Sequence, residues 1–557
     1  MSTSKVFVNG KIFTGRNEDD FITAFKVADG RITWTGNEIN ESDAIDLHGQ
    51  TVLPGFIDIH THPTYVAMTV DAVPCTVPVV NSISEMVQAL KQHRNYGKGP
   101  DDWIEGWGYD ESKLAEHRTP TTEDLDRVST TQPVYVLRSD AHSGICNTRA
   151  LQIAGITRDT PDPESARFGR HDNGEPNGVL EEIAANNVVL RAKAVEDYES
   201  KVSALLGTAS HYNERGIVAV TDMMALTRPF DNLKLYRDAA SNGFRQQAAL
   251  YFSWLDLKDN AIPDLTDEDR KGRAKFAGIK LFADGSVSGC TAWMCKPYRN
   301  SGHGYSTLTD ADLNAGYEWA RRNKVQVAVH AMGDRALDHV IDFFAGKEPW
   351  LDVPSVRLEH ATLLSEAQMR KMNDAKMTFG VTTQIIFFFA EYDSYSQNLA
   401  DEAFQRAYAV KSFYNHIEYV GLSSDAPATT WADPDNVFVS IKAAVTRKAY
   451  NGADIVPEQA ITVPQAVLLY TSRPARLACY EGLLGQIAPG YEASFVILDR
   501  DIFTIDVDEL DRTQVQQTWI AGEKVYDRET KSKTRPPRSL RSSFPERRVS
   551  SHDPSRS

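Results

Sequence analysis

The chain has 557 residues, 41% of them hydrophobic and 24% charged, with 34 Gly and 25 Pro. That profile is a folded globular protein with room for several domains or one large α/β barrel with additions, and it excludes fibrous and wholly disordered classes. The 60 basic and 76 acidic side chains leave a net charge of −16, which argues against nucleic acid or an anionic membrane as partner and for a small-molecule substrate.

The first ten residues, Met-Ser-Thr-Ser-Lys-Val-Phe-Val-Asn-Gly, lack the apolar centre of a signal peptide, and no run of about 18 apolar residues occurs. A cytoplasmic protein without membrane contact is expected. The 5 Cys are scattered with no Cys-x-x-Cys pair, so neither a disulfide framework nor a thiolate zinc site is indicated.

Residues 5–52 alternate apolar and polar side chains in short runs broken by Asn9-Gly10, Asp29-Gly30 and Gly36, the pattern of strands and tight turns. Eight buried-strand patterns follow, at Val52–His62, Gly216–Asp222, Gln246–Phe252, Gly278–Asp284, Val325–His330, Val356–His360, Met377–Thr383 and Tyr419–Asp425. Each precedes a polar loop and a helix-like stretch, and eight such units predict an α/β fold of the (β/α)8 TIM-barrel type. About 150 residues separate the first strand from the second, too many for a bare loop, so an inserted α+β subdomain is expected over about 70–205. Strand texture returns at Ala493–Leu498 and Val515–Tyr526, which predicts one small β-sandwich built from the N-terminal segment 1–52 and the C-terminal segment 481–527, flanking a barrel over 53–480. From Arg528 to Ser557 nine basic residues face three acidic ones in a Ser/Pro-rich stretch, which reads as a disordered basic tail.

The chemistry sits at the strand ends. In Asp58-Ile59-His60-Thr61-His62 the period of two puts Asp58, His60 and His62 on one face, where two imidazoles can clasp one metal ion. His330 ends the fifth strand, His360 shares a face with Val356 and Leu358 in the sixth, and Asp425 ends the eighth. A lone His at a strand end is more often a hydrogen-bonded core residue. The joint occurrence at four carboxyl ends, where barrels keep their active sites, points instead to a metal-binding site at the barrel mouth.

His60-Thr61-His62 after Leu-Pro-Gly-Phe-Ile-Asp resembles the amidohydrolase superfamily. Ile279 to Ser286, His330 to Ala336, Glu359-His360-Ala361 and Ser424 to Pro427 resemble its YtcJ-like branch, which includes N-substituted formamide deformylases. The resemblance runs from about residue 5 to 526 and implies a metal site of His60, His62, Lys280, His330, His360 and Asp425. In it Lys280 is carboxylated and bridges two ions, His60 and His62 with Asp425 taking one and His330 with His360 the other. A single ion suits the same residues, and so does a Lys280 that stays an ammonium beside Asp284. Zinc is the default metal for imidazole and carboxylate donors, with iron, manganese or nickel fitting as well.

On this reading Asp425 is the general base toward water that attacks a carbon–nitrogen bond of a small, fairly apolar N-acyl or N-formyl compound. Arg138 to Ser143 resembles a family segment that would carry His142 over the carbonyl, although Ala141 stands where the branch has Gly, and a turn-capping role for His142 is the alternative. Asp284 is a candidate substrate-orienting group, and Phe387, in Gln384 to Phe389, a candidate wall of an apolar pocket. The competing functions are hydrolysis of a cyclic amide, lactone or carbamate, and a non-catalytic scaffold on the same fold. A homodimer is the simplest assembly to test.

Overall fold

The structure is a computed structural model that describes residues 4–530, apart from 40, 140–142, 164–165, 194–196 and 261–264. His142 and the basic tail from residue 531 lie outside the described residues. All eight expected strands are present: β1 (Phe56–Thr61), β2 (Ile217–Ala225), β3 (Gln247–Ser253), β4 (Ala274–Phe282), β5 (Gln326–Ala331), β6 (Val356–His360), β7 (Phe379–Thr383) and β8 (Val420–Leu422). They form one all-parallel sheet in chain order. The seam between β8 and β1 is closed at the mouth, where Asp425 N donates to His60 O at 2.8 Å and His62 N to Ala426 O at 2.9 Å. Lower down, the segment Leu469-Tyr470 bridges the seam, its carbonyls accepting from Leu422 N at 2.9 Å and Ile57 N at 2.8 Å.

The strands sort their side chains as a barrel requires. Val325, Val327 and Val329 face the outer helices, among them Asp334–Ala345, whose Leu337, Val340, Ile341 and Phe344 recur at helical spacing. Ala328 of the same β5 joins Ile57, Ile59 and Tyr251 in the interior. A polar column also fills the barrel axis: Gln326 bonds Tyr251, Tyr251 accepts from Arg357 Nη1 at 3.0 Å, and Arg357 Nε donates to Glu359 at 2.8 Å. Every member is fully buried, and partners within the column satisfy the charges that water would otherwise hydrate.

Two further layers flank the barrel. Strands from both chain ends build a four-stranded and a six-stranded sheet, the latter running Glu523–Asp527, Val515–Ile520, Phe495–Leu498, Thr51–Pro54, Lys11–Phe13, Phe21–Ile22. Phe7 of the first sheet meets Phe495 and Trp519 of the second edge-on at 5.2 and 5.3 Å, so residues nearly 500 positions apart share one core. Between β1 and β2 a mixed six-stranded sheet carries helix Ile83–Leu90 in one apolar cluster and helices Thr148–Ala154 and Glu182–Arg191 in another. This inserted layer leans on the barrel mouth: Thr76 Oγ1 donates to Thr430 O, and Lys113 Nζ lies 2.6 Å from Asp393 Oδ2. Among the described residues no helix is long and apolar enough to cross a membrane.

Candidate metal centre

Five strands deliver their donors to one point at the mouth. His62 Nε2 lies 2.8 Å from Asp425 Oδ1, and His60 Nε2 lies 3.3 Å from the same oxygen. One ligand atom from each of His60, His62 and Asp425 falls within 4.8 Å of the others. Behind them the His360 ring stands 4.8 Å from that of His60 and 4.3 Å from that of His330, centroid to centroid. Lys280 reaches up from β4 with Nζ 3.4 Å from His60 Nε2, so all six sequence-predicted ligands meet.

Alternation alone does not explain this gathering. In β1 three steps from Asp58 to Thr61 match two steps on β2, a bulge that turns His60 inward. Asp58 therefore does not share the face of His60 and His62, as simple alternation predicts. It turns to the other side and accepts from Ser424 Oγ at 2.5 Å and Ser424 N at 3.2 Å. In β6 the inward residues are Arg357 and Glu359, while Val356 and Leu358 pack toward the helices. His360 still reaches the site because its backbone is left-handed, with φ 69°, which breaks the alternation that would have sent it outward. Asp425, at φ 56°, uses the same device to bring its carboxylate back over β1.

The cluster is electrostatically prepared. Burial, with Lys280 beside it, pushes His330 down to about 4, and burial next to His330 takes His360 well below the imidazole range, so both rings are neutral at pH 7 with lone pairs to give. Burial lowers Lys280 to about 8 against the opposing pull of Glu359 and Asp425. Burial would raise the Asp425 carboxyl, but the His60 and His62 rings hold it well below the carboxylate range. His60 Nδ1 donates to Glu359 Oε2 at 2.6 Å, which fixes the ring with Nε2 facing Asp425 and Lys280. Burial acts to raise Glu359, and Arg357 overrides it and brings the carboxyl down to about 2, so this acceptor stays ionised.

The donor set suits a divalent cation: four imidazoles, those of His330 and His360 neutral, an ionised carboxylate and an amine whose pKa burial lowers. Two of its nitrogens, His62 Nδ1 and His360 Nδ1, are buried with no hydrogen-bond partner, His360 Nδ1 lying 3.8 Å from Asp425 Oδ2.

The remaining candidates divide. Phe387 stacks on His360 with centroids 6.0 Å apart, whereas its neighbours Phe388 and Phe389 turn away to Tyr408 and Trp431. Asp284 is buried and accepts from Trp293 N at 2.9 Å, Met332 N at 3.0 Å and Gly333 N at 2.8 Å, with Oδ1 3.5 Å from His330 Nε2. It knits the β4 and β5 loops together, and Lys280 sits over Phe282, 5.1 Å from the ring centroid. Phe282, whose ring lies 5.5 Å from that of His330, is a second aromatic beside the donors that motif reasoning passed over as a substrate contact. Glu359 and Arg357 were also missed. Their signal was present as two charged residues at i and i+2 in an otherwise apolar strand, the mark of a polar inward face.

A family model for amidohydrolases matches residues 43–526. The chain belongs to the amidohydrolase family. The resemblance read from the motifs is thus borne out, and this amidohydrolase is an enzyme of that family's fold and class. It is 27% identical over 542 residues to an N-substituted formamide deformylase of Arthrobacter pascens, covering 94% of this chain and 98% of the relative. It is 28% identical over 545 residues to YtcJ, an amidohydrolase by name, of Bacillus subtilis (strain 168), covering 94% and 99%. Its fold superposes on the crystal structure of an uncharacterized metal-dependent hydrolase from Pyrococcus horikoshii OT3 with a TM-score of 0.70 at 24% identity, covering 91% and 99%.

Proposed function

We propose that this amidohydrolase cleaves the carbon–nitrogen bond of a small, fairly apolar N-acyl amine, an N-formyl amine being the leading case. The observation that carries the reading is the convergence of His60, His62 and Asp425 within 4.8 Å, backed by two neutral imidazoles. A divalent cation, zinc by default, would be held by His60, His62 and Asp425, with His330 and His360 completing a second position and a carboxylated Lys280 between them. When bound, the cation supplies Lewis acidity toward a carbonyl oxygen and toward water. Lys280 suits carboxylation because only the neutral amine adds CO2, and its burial favours that form.

The chain's own residues supply the rest. Asp425 accepts the proton of the attacking water at its carboxylate and passes it to the leaving nitrogen, so that the new C–O bond and the broken C–N bond yield an acid and an amine. Glu359 holds the His60 ring in one tautomer throughout. Phe282 and Phe387 present aromatic faces beside the donors, which suits an alkyl or aryl substituent on the amide. His142 is our candidate for a hydrogen bond to the carbonyl.

The test is elemental analysis of purified protein beside a His60→Ala/His62→Ala control, followed by a panel of formamides, acetamides, lactones and carbamates. We expect one or two equivalents of a transition metal in the wild type, loss in the control, and turnover confined to the amides. Asp425→Asn should lose at least a hundredfold in kcat. A protein that stays metal-free after reconstitution under bicarbonate, or an Asp425→Asn variant that keeps its metal and its rate, overturns the reading.

A further inference from the structure

Beyond Phe387 the same helix face carries an acid. Glu391 follows helix Ile385–Ala390, its N–H donating to Phe387 O at 2.7 Å, so the two side chains are one turn apart on one face. Phe387 lies on the His360 ring, so Glu391 follows by one helical turn the residue that stacks on the cluster. From the other side, Thr429, four residues past Asp425, donates Oγ1 to Glu391 Oε1 at 3.3 Å. Ser288 of the β4 loop turns a second hydroxyl toward it, which acts to lower its pKa. From the inserted layer Asp110 and Lys113 act on it electrostatically, with opposite signs.

The charges around this carboxylate do not balance. Lys113 is the cation that faces it, yet the Lys113 ammonium is held by Asp393 at 2.6 Å and lies over the Tyr450 ring at 4.3 Å. Asp110 adds a second carboxylate, whose own cation is Arg138 at 4.0 Å. Glu391 is only 8% exposed and, among the described residues, forms no ion pair of its own. A carboxyl buried against hydroxyls and another acid is costly to ionise without a cation, and burial accordingly moves it up to about 7. A ligand cation arriving from the cluster side would supply what the surrounding protein withholds.

We infer that Glu391 is a specificity-determining residue that selects amides whose amine portion ends in a protonated amino group, beyond an aromatic or alkyl spacer lying along Phe387. The inference deepens the hydrolase reading and rests on it for the identity of the scissile bond. The order of features from the donors outward is metal ligands, aromatic face, anion, and a substrate that matches it reads amide, apolar spacer, ammonium.

The binding step is tested with product-like alcohols, which need no turnover. Metal-loaded wild type is titrated with 4-(aminomethyl)benzyl alcohol and with the neutral 4-methylbenzyl alcohol, by calorimetry and by thermal shift. The cationic alcohol should bind at least tenfold more tightly, and Glu391→Gln should abolish that difference by weakening the cationic alcohol alone. Equal affinity of the two alcohols for the wild type overturns the inference, as does a preference that survives in Glu391→Gln, and neither outcome depends on hydrolysis. In the catalytic arm, N-benzylformamide is compared with its 4-aminomethyl derivative. A tenfold advantage in kcat/KM for the cationic substrate, lost in Glu391→Gln, is expected. If both formamides are inert while the preference for the cationic alcohol holds, the scissile-bond reading fails and the role of Glu391 stands. If both are hydrolysed equally, the role of Glu391 fails and the hydrolase reading stands.

Discussion

Glu359 never reaches the cavity, yet it decides which nitrogen of His60 does. Its carboxylate takes the Nδ1 proton of His60 on one side and is clamped by Arg357 on the other, with both groups fully buried. Such outer partners commonly set ligand basicity and orientation, so Glu359→Gln should weaken metal binding by about 10- to 100-fold, read by competition with a fluorescent chelator. Unchanged affinity would mean that the ring is held by packing alone. Glu391 makes a second prediction, this one in pH. Its folded-state carboxyl, raised by burial and then by Asp110 against Ser288, Thr429 and Lys113, titrates near 7 rather than 4.5. Between those values the native state keeps a proton that the unfolded chain has lost, so the contribution to stability is fullest below about 4.5 and is lost as pH rises through about 7. The change is on the order of 3 kcal/mol at most. Glu391→Gln should therefore gain stability relative to wild type between pH 5 and pH 8 in urea unfolding, and parallel pH curves for the two proteins would contradict the assignment.

At the scale of elements, tight turns lock the two chain ends together. Asp29-Gly30, with φ of 50° and 75°, turns between strands Ala24–Ala28 and Arg31–Gly36, and Ala521-Gly522, with φ of 50° and 74°, turns between Val515–Ile520 and Glu523–Asp527. The two turns pack on each other, and a Cβ at Gly30 would stand 2.9 Å from Ala521 O, whereas one at Gly49, at a similar φ of 77°, would meet nothing. Gly49→Ala should cost about 1 kcal/mol for backbone strain, and Gly30→Ala about 1–2 kcal/mol more. Equal losses in chemical denaturation would show that the packed turns yield freely. The first of these turns was legible in the sequence because Asp-Gly carries a backbone preference with it, whereas Ala521-Gly522 carries only the freedom of its glycine. The barrel strands were legible for a different reason: buried runs such as Val325 to Val329 have no other way to satisfy both faces. What could not be read was the direction of His60 and His360. Alternation predicts facing only while the backbone stays extended, and neither the β1 bulge nor the left-handed His360 announces itself in residue type. The candidate ligands could be picked out because family motifs preserve identity, while the facing of Asp58 and the loop amides around Asp284 could not be read because a carboxylate near a strand end looks the same whether it faces a cavity or a loop amide.

In the whole molecule the barrel is weakest where it closes. From β1 to β8 each strand pairs with its chain-order neighbour, but β8 and β1 meet through only a few backbone bonds at the mouth and through Leu469-Tyr470 below. The donor cluster straddles that seam. His60 and His62 stand on β1 and its end, Asp425 follows β8, and Lys280, His330 and His360 come from the opposite arc of β4, β5 and β6. A cation held there would tie both sides of the seam to the far wall, and a ligand that binds only the folded state stabilises it in proportion to RT ln(1 + [L]/Kd), about 4 kcal/mol at a thousandfold excess over Kd. Stripping the metal with a strong chelator should therefore lower the unfolding temperature by several degrees, about 2–4 °C for each kcal/mol in proteins of moderate size. The loss should also be local. Hydrogen exchange should quicken in residues 56–62 and 420–427 well before it does in β3, which contributes no ligand, and readdition of the cation should reverse it. Loss of metal with no change in unfolding temperature, or with exchange rising evenly around the barrel, would mean that the seam is held by its backbone and by Leu469-Tyr470 and that the cluster serves chemistry alone.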